Sequence, residues 1–372
     1  MRRSLILVLV LAVLACAGSW AASQVRSMRD RSEVAKMTER MKTVCIGRFL
    51  VDVPAQAQVS LSGGMLGGFE IRSRQERRAE FEKRLKEREA ELGASDEHAE
   101  MRRVDGLIES RALHIPKMIG SAFVYGRTRS GGVKGERPES EYVSVETHAH
   151  VDGISLVLAM QYADETDIKL SEALLARLQV RAEADIPAAA GFCIWRAMFV
   201  EPLPTHHNEQ IVMHLGLPSH PDVDVALFSI AGAKAGPGIL SRSADVDAST
   251  SAAELLRVTK RRAGKRSING LMGEEILERV REHNFATTYG FNWETRGIAE
   301  DFLQPYLALE LQSGINARPG GEPVSTSLHE DALLQLWDTI ASSIRLRTPD
   351  TLRPHPAQPA TPAQATRQAA AH

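Results

Sequence analysis

Two cysteines at the start of two similar segments are the residues of this chain best suited to covalent chemistry. Cys45–Pro54 and Cys193–Pro202 both read Cys-Ile-x-Arg, followed by an apolar run, an acidic residue and a proline. The repetition predicts that one folding unit was duplicated, with chance similarity as the alternative. It also places two thiols at equivalent positions, where they could meet near an internal two-fold axis.

His148 and His150 form the best candidate metal site. Residues two apart on a strand share a face, so both imidazoles could bind one ion. A zinc site needs a further protein ligand, and the nearest carboxylate, Asp152, is predicted to lie in a turn with Gly153. Two solvent-facing histidines on an exposed sheet face fit the same pattern, and this is the interpretation we adopt.

A second group of polar residues offers no better site. It comprises His206, His207, His214, His220 and Asp222. The group lacks the His-Glu-x-x-His spacing that places two metal ligands on one helix face. The chain also lacks the nucleophile elbow, the P-loop and the dinucleotide fingerprint. We therefore predict no catalytic, metal or cofactor site, and expect a binding protein and not an enzyme.

The amino terminus has the organisation of an export signal. Arg2 and Arg3 precede an apolar run from Leu5 to Leu14, and small residues follow. The run is shorter than the about 20 apolar residues that a membrane span needs. Residues 1–22 are therefore assigned to an export or lipoprotein signal.

Processing of this signal is open between several routes. Val13–Cys16 resembles a bacterial lipobox, which would make Cys16 a lipidated first residue and attach the chain to a membrane. Ser19–Ala21 offers ordinary cleavage near residue 22, and an uncleaved anchor is a third route. Cleavage or lipidation leaves Cys45 and Cys193, which tend to form a disulfide in an oxidising compartment. Two buried free thiols are the alternative, since cysteine is often buried.

Length and composition predict a soluble protein with about two domains. The 372 residues carry a net charge of −2, which argues against nucleic acid as the main partner. The predicted units are a polar tether (23–40), an N-terminal α+β domain (41–184), a linker (185–191), a C-terminal α+β domain (192–347) and a disordered tail (348–372).

Further signals recur in both halves. Asp105-Gly106 and Asn269-Gly270 each predict a turn between apolar runs, because both residue types tolerate positive φ. Each half closes with an amphipathic helix, predicted over Leu170–Val180 and Leu333–Ile344. These matches strengthen the prediction of a duplication.

Other elements complete the predicted fold. Val44–Val53 and Ile194–Glu201 are each predicted as one strand, and Gln75–Leu92 and Ser251–Arg261 as helices. The fold class is α+β, with two similar domains side by side. Each domain is a mostly antiparallel sheet with helices packed on one face.

Three segments resemble a known family. Thr43–Pro54, Phe285–Trp293 and the closing helix Leu328–Arg347 are similar to immunity proteins of bacterial type VI secretion systems, cognate to lipase effectors. The resemblance covers residues 41–347. It implies a two-domain periplasmic protein, soluble or lipid-anchored, that binds and inhibits a phospholipase toxin and protects the producer's membranes. It implies no catalytic residues and identifies no contact residues.

The contact surface and two other functions stay open at this level. The loops predicted at Pro202–Asp222 and Ser313–Ser327 are candidates for contact with a toxin, with ordinary surface connections as the alternative. An exported metal-dependent enzyme or ligand-binding protein would use His148 and His150. An envelope protein without a toxin partner is the remaining alternative.

Overall fold

Among its described residues, the first half of the chain contains three helices and ten strands. In this computed structural model the described residues are 2–61, 63–94, 106–130, 140–204, 208–232, 236–299 and 301–348. The elements of the first half are α1 (Arg2–Thr38), β1 (Met41–Ile46), β2 (Phe49–Pro54), β3 (Gln58–Leu61), β4 (Gly64–Leu66), β5 (Phe69–Gln75), α2 (Arg78–Gly93), β6 (Leu107–Ala112), β7 (Ile119–Ser130), β8 (Ser140–Val151), β9 (Ile154–Ala163), α3 (Glu165–Leu175) and β10 (Leu178–Val180).

The second half repeats this order. Its elements are β11 (Gly191–Ile194), β12 (Ala197–Val200), β13 (Glu209–Leu217), β14 (His220–Ala231), α4 (Ile239–Ser249), α5 (Ala252–Leu255), β15 (Val258–Ile268), β16 (Leu271–Arg281), β17 (Thr287–Thr295), β18 (Tyr306–Ser313), α6 (Glu330–Ser343) and β19 (Arg345–Leu346). Each half has a hairpin, two or three strands, helical structure, four strands, a helix and a short last strand, the first half having β3 and β4 where the second half has the single strand β13. The α+β class and the internal duplication are confirmed.

The two Cys-Ile-x-Arg segments form tight hairpins. Gly47 (φ +53°) and Arg196 (φ +55°) adopt the left-handed conformation in the two-residue turns. The predictions of one strand over Val44–Val53 and one over Ile194–Glu201 are therefore wrong. An apolar run on each side of the turn hides it in the sequence, and Trp195-Arg196 is not a familiar turn pair.

Both halves contribute to one large antiparallel sheet of 13 strands. Its order is β15-β16-β17-β18-β14-β13-β4-β5-β9-β8-β7-β6, and β3 also pairs with β13. Each half has the same internal strand order, and the halves join where β13 meets β3 and β4. The domains predicted side by side are thus continuous through backbone hydrogen bonds.

Each half also completes a small sheet of the other half. β19, at the end of the second half, pairs with β2, whereas β10, at the end of the first half, pairs with β12. The short strand that follows each closing helix therefore crosses to the opposite hairpin. Neither half holds a complete set of its own strands.

The hairpins meet at the junction between the halves. Cys45 and Cys193, both fully buried, form a disulfide with Cα atoms 5.9 Å apart. Beside it, Gly47 N–H donates to the Cys193 carbonyl (3.0 Å), and Cys193 N–H donates to the Gly47 carbonyl (2.8 Å). Equivalent positions of the repeat are therefore adjacent, as an axis between the halves requires.

A buried ion pair reinforces this junction. Arg48, in the first hairpin turn, donates two hydrogen bonds of 2.7 Å to Glu209 at the start of β13, and a third to Glu201. Burial alone would lower the pKa of Arg48, but the hydrogen bonds with both glutamates outweigh it and raise the pKa. The guanidinium stays charged, and removal of one partner would leave a buried charge uncompensated.

Residues 23–38, within the predicted tether, are helical and packed. They form the end of α1, which lies against α6 through the buried side chains of Val34 and Met37. Asp30 is buried and accepts from His329 N–H at the amino end of α6 (2.9 Å). A carboxylate is favoured there by the exposed N–H groups of a helix start. None of the described helices combines the length and apolar character needed to cross a membrane.

The helix predictions hold unevenly. α6 buries Leu333, Leu336, Trp337 and Ile340 on one face, as its spacing predicts. The helix predicted over Ser251–Arg261 is wrong, because α5 covers four residues and β15 begins at Val258. The sequence gives no clear signal for helix α4, which precedes α5 and buries none of its residues.

The turn signals also differ from the prediction. Asn269-Gly270 connects β15 to β16, whereas Gly106 lies directly before β6, and Asp105 is outside the described residues. β6 is equivalent to β15 and not to β16, so these two signals are not equivalent positions. The apparent match arises because Asx-Gly pairs begin strands at several places in antiparallel folds.

Loss of the disulfide should destabilise the whole fold. Cys45→Ala with Cys193→Ala opens a loop with a sequence separation of 148 residues, for which chain entropy predicts up to about 5 kcal/mol. We expect urea unfolding of the mature double variant to shift to lower concentration, and reducing agent to shift the wild type similarly. Two titratable thiols at Cys45 and Cys193 in denatured, unreduced wild-type protein would contradict this.

Candidate partner-binding surfaces

His148 and His150 are buried beneath α2. Their rings lie 5.4 Å from the Phe123 ring and 5.3 Å from the Phe81 ring respectively, measured between centroids. His150 Nδ1 also lies 2.8 Å from Ser155 Oγ. The prediction that both face solvent is wrong, since the charged helix α2 covers this part of the sheet and shields them.

A carboxylate organises the polar groups around His148. Glu146 lies 3.1 Å from His148 Nε2, accepts 2.6 Å and 2.9 Å hydrogen bonds from Arg88, and accepts a 2.6 Å bond from the Tyr125 hydroxyl. Burial alone would raise the pKa of Glu146, but the hydrogen bonds from His148, Arg88 and Tyr125 outweigh it and hold the pKa well below its usual range. This network has a structural role, because it connects Arg88 of α2 to Glu146 and Tyr125 of the sheet.

The described residues contain no group of three His, Cys, Asp or Glu side chains arranged to hold a metal ion. His206 and His207 lie outside the described residues. Both ring nitrogens of His220 have hydrogen-bond partners, since Nε2 lies 3.1 Å from the Glu33 carboxylate and Nδ1 lies 2.8 Å from Ser327 Oγ. It joins α1, β14 and the segment before α6.

The predicted loop Pro202–Asp222 is not a single loop. β13 occupies Glu209–Leu217 and lies inside the large sheet, and β14 begins at His220. The prolines at 202 and 204 suggested irregular structure, but the alternating apolar residues that follow form a strand with every second side chain buried.

The other predicted loop is irregular and largely exposed. Between β18 and α6, residues 317–325 are all exposed, and the loop ends are fixed by Asp222. The Asp222 carboxylate accepts from Gly314 N–H (3.3 Å) and Ser327 N–H (2.9 Å). A loop tied at both ends can present a defined surface, so contact with a partner here stays a prediction.

A groove of about 580 Å³ lies beside the disulfide, at the junction of the halves. Its walls come from β1, β3, the segment after β10 and the turn between β11 and β12. The lining residues are Lys42, Thr43, Val44, Val59, Leu61, Arg181, Glu183, Ala184, Ile186, Trp195 and Arg196. Sequence reasoning missed this groove because four separate segments form it.

The groove has an apolar floor and a mainly cationic rim. Val44, Val59, Leu61, Ile186 and Trp195 supply half-buried apolar surface. Lys42, Arg181 and Arg196 outnumber Glu183, the one acidic lining residue. The arrangement suits an occupant with apolar and acidic groups.

Contacts with neighbouring residues fix the positions of the Arg196 and Arg181 side chains. The guanidinium carbon of Arg196 lies 5.2 Å from the Trp195 ring centre. Arg181 donates to the carbonyls of Asp185 (2.9 Å) and Ile194 (3.2 Å). Burial lowers the pKa of Arg181, and the nearby Asp185 and Glu183 partly offset this.

Sequence-family comparison covers both halves. A model of the Tle cognate immunity protein 4 N-terminal domain matches residues 42–185, and a model of the C-terminal domain of the same family matches residues 185–349. The chain belongs to the Tle cognate immunity protein 4 family. It is therefore an immunity protein, which acts by binding and not by catalysis. No curated protein matches the chain in sequence.

Solved structures share the fold of this family member. The apo immunity protein TplEi of the type VI secretion system from Pseudomonas aeruginosa is 24% identical, with TM-score 0.65, over 84% of this chain and 99% of that chain. TplEi complexed with "L" peptide is 23% identical, with TM-score 0.63, over 83% and 98%. A chain of the Tle4-Tli4 complex is 23% identical, with TM-score 0.66, over 83% and 98%.

The Glu146 network should make stability depend on pH. Because the folded-state pKa is depressed, the stabilisation is present above the unfolded carboxyl pKa of about 4.3 and is lost as pH falls below it. Glu146→Gln should cost about 1–3 kcal/mol at pH 7 and flatten the loss of stability between about pH 5 and 3. Urea unfolding at several pH values measures this, with Glu87→Gln on the exposed face of α2 as control. Parallel pH profiles for wild type and Glu146→Gln would refute it.

Proposed function

We propose that this chain binds a type VI secreted lipase in the periplasm and inhibits it, protecting the membranes of the cell that produces it. The observation that carries the proposal is the pair of family matches, which together run through residues 42–349. Support also comes from the solved complex of a similar chain, described as a Tle4-Tli4 complex.

Inhibition by binding fits the rigidity of the molecule. The shared sheet, the exchanged strands β10 and β19, and the Cys45–Cys193 disulfide hold both halves in one arrangement. Contact surfaces on the two halves are therefore positioned before the toxin arrives, so little conformational entropy is lost on binding. A stable complex of this kind buries about 1,600 Å² in total.

A purified cognate lipase tests the function. We expect this protein to suppress lipase activity at a near-equimolar ratio. If the complex dissociates slowly, substrate cannot displace the inhibitor during the assay, so inhibition should be the same at all substrate concentrations. His148→Gln with His150→Gln should retain inhibition where the variant stays folded, because both side chains are buried under α2. Binding without inhibition, or loss of inhibition in the folded histidine variant, would contradict the proposal.

Periplasmic location is the second part of the proposal. Arg2, Arg3 and the apolar run that follows support export, with Cys16 as the candidate lipidation site for membrane attachment. The contacts of α1 with the rest of the chain begin at Ser23, whose Oγ lies 3.3 Å from His329 Nε2, and at Arg26, whose Nη2 donates to the Thr326 carbonyl (2.9 Å). Processing at Cys16 or near residue 22 therefore leaves the α1–α6 contact intact.

Mass spectrometry of protein from fractionated cells tests export. We expect a mature chain in the periplasmic or membrane fraction that begins at Cys16 with lipid, or near Ala22 without it. Cys16→Ser should separate these outcomes, since it releases a lipoprotein from the membrane fraction and leaves ordinary cleavage unchanged. Intact Met1 in a soluble cytoplasmic fraction would contradict export.

A further inference from the structure

The outer edge of β1 carries backbone groups that face the groove. β1 pairs with β2 through a two-residue turn, so Ile46, Val44 and Lys42 direct their backbone groups at β2. Thr43 and Cys45 direct theirs to the opposite side. Asp52, which lies opposite Thr43 on β2, follows the same alternation. Its N–H donates to Ser343 Oγ (2.8 Å) and not to Thr43, so the backbone groups of this pair point away from each other.

Thr43 lies at an open part of this edge. Two residues further along the chain, the Cys45 carbonyl accepts a hydrogen bond from Arg181 Nη2 (3.5 Å). Two residues beyond that, Gly47 pairs with Cys193. Strand pairing on this side stops at Gly47, so the Thr43 N–H and C=O face the groove without a strand partner among the described residues. An exposed strand edge of this kind can accept a further strand.

The equivalent edge in the other half is covered. Gly191 stands two residues before Cys193, as Thr43 stands two residues before Cys45. The Gly191 carbonyl accepts a 2.6 Å hydrogen bond from Arg347, which also donates to the carbonyls of Pro187 and Ala189. The Arg347 side chain thus covers this side of β11, and the open edge is a difference between the repeats.

The groove also selects the composition of an occupant. Apolar side chains would lie on Val59, Leu61 and Trp195, and acidic groups would meet Arg196 and the other cationic rim residues. The chain's own residues 349–372 are a poor match, since they are proline-rich and carry two arginines against one acidic residue. Proline removes the N–H that strand addition needs.

We propose that this groove binds an extended, acidic and apolar segment of the lipase toxin, which adds as a strand to the Thr43 edge of β1. Main-chain hydrogen bonds to Thr43 supply affinity, and the pockets for alternate side chains supply specificity. The inference rests on the proposed function for the identity of the partner. It adds where the toxin is held and by which chemistry.

A pair of variants at one position isolates the strand edge. Thr43→Pro removes the outward N–H but no β1–β2 ladder bond, whereas Thr43→Val keeps the N–H. Both lose the Thr43 hydroxyl, which donates to Asp52 (2.7 Å). We expect Thr43→Pro to weaken lipase binding at least tenfold relative to Thr43→Val, measured by calorimetry. Equal affinity of both folded variants would overturn the proposal.

A second pair tests the charge of the rim without touching the backbone edge, and keeps the proposal testable should Thr43→Pro fail to fold. Arg196→Gln should weaken binding about three- to tenfold and reduce its salt dependence. Arg78→Gln, on the exposed face of α2, should change neither. Equal effects of the two substitutions would overturn the proposal.

Tiled peptides of the lipase identify the occupant. An acidic peptide should bind wild type, compete with the intact lipase, and lose binding to Thr43→Pro. Competition by oleate but by no peptide would assign the groove to a lipid anion and overturn the inference.

The results separate the two proposals. If the wild type binds no lipase at all, the proposed function fails. If it binds the lipase and both variant pairs match their controls, the groove inference alone fails.

Discussion

The exchange of the last strand between the halves is the constraint on which the structure depends. β19 completes the hairpin of the first half and β10 that of the second, so each hairpin would have a bare edge without the other half. Arg181 N–H donates to the Arg196 carbonyl (3.0 Å) and Arg347 N–H to the Arg48 carbonyl (2.9 Å), repeating one contact on both sides. The disulfide and the Arg48 ion pair reinforce a junction that backbone pairing already defines.

Differences between the repeats are where recognition can arise. A duplicated fold begins with two equivalent surfaces, but binding to one asymmetric partner requires that they differ. Here the equivalents Gly47 and Trp195 occupy the two hairpin turns, and Trp195 contributes to the groove. Thr43 leaves a strand edge open where its equivalent Gly191 is covered by Arg347. Substitutions at a few equivalent positions are sufficient to give the two sides different chemistry without changing the shared sheet.

Local patterns predicted much of the fold, and long-range pairing was beyond them. The Cys-Ile-x-Arg repeat predicted the duplication, and apolar spacing predicted α6, because both signals lie in a short stretch of sequence. The exchanged strands are two or three residues long, and β19 pairs with β2, which lies almost 300 residues earlier in the chain. The burial of His148 depends on α2, a mostly charged helix whose apolar stripe is thin. The groove arises from four segments, so no local pattern indicated it.

The position of β19 also determines when the molecule can fold. One edge of β2 pairs with a strand that lies almost 300 residues later in the chain, since Leu50 pairs with Arg345. A chain crossing a membrane amino end first would therefore expose the first hairpin, with its apolar strands and the Cys45 thiol, until translocation is nearly complete. Such high contact order slows folding and prolongs the exposure of unpaired edges. Under the proposed function, only chains that have arrived whole would protect the producing cell, and truncated products would supply no partial defence.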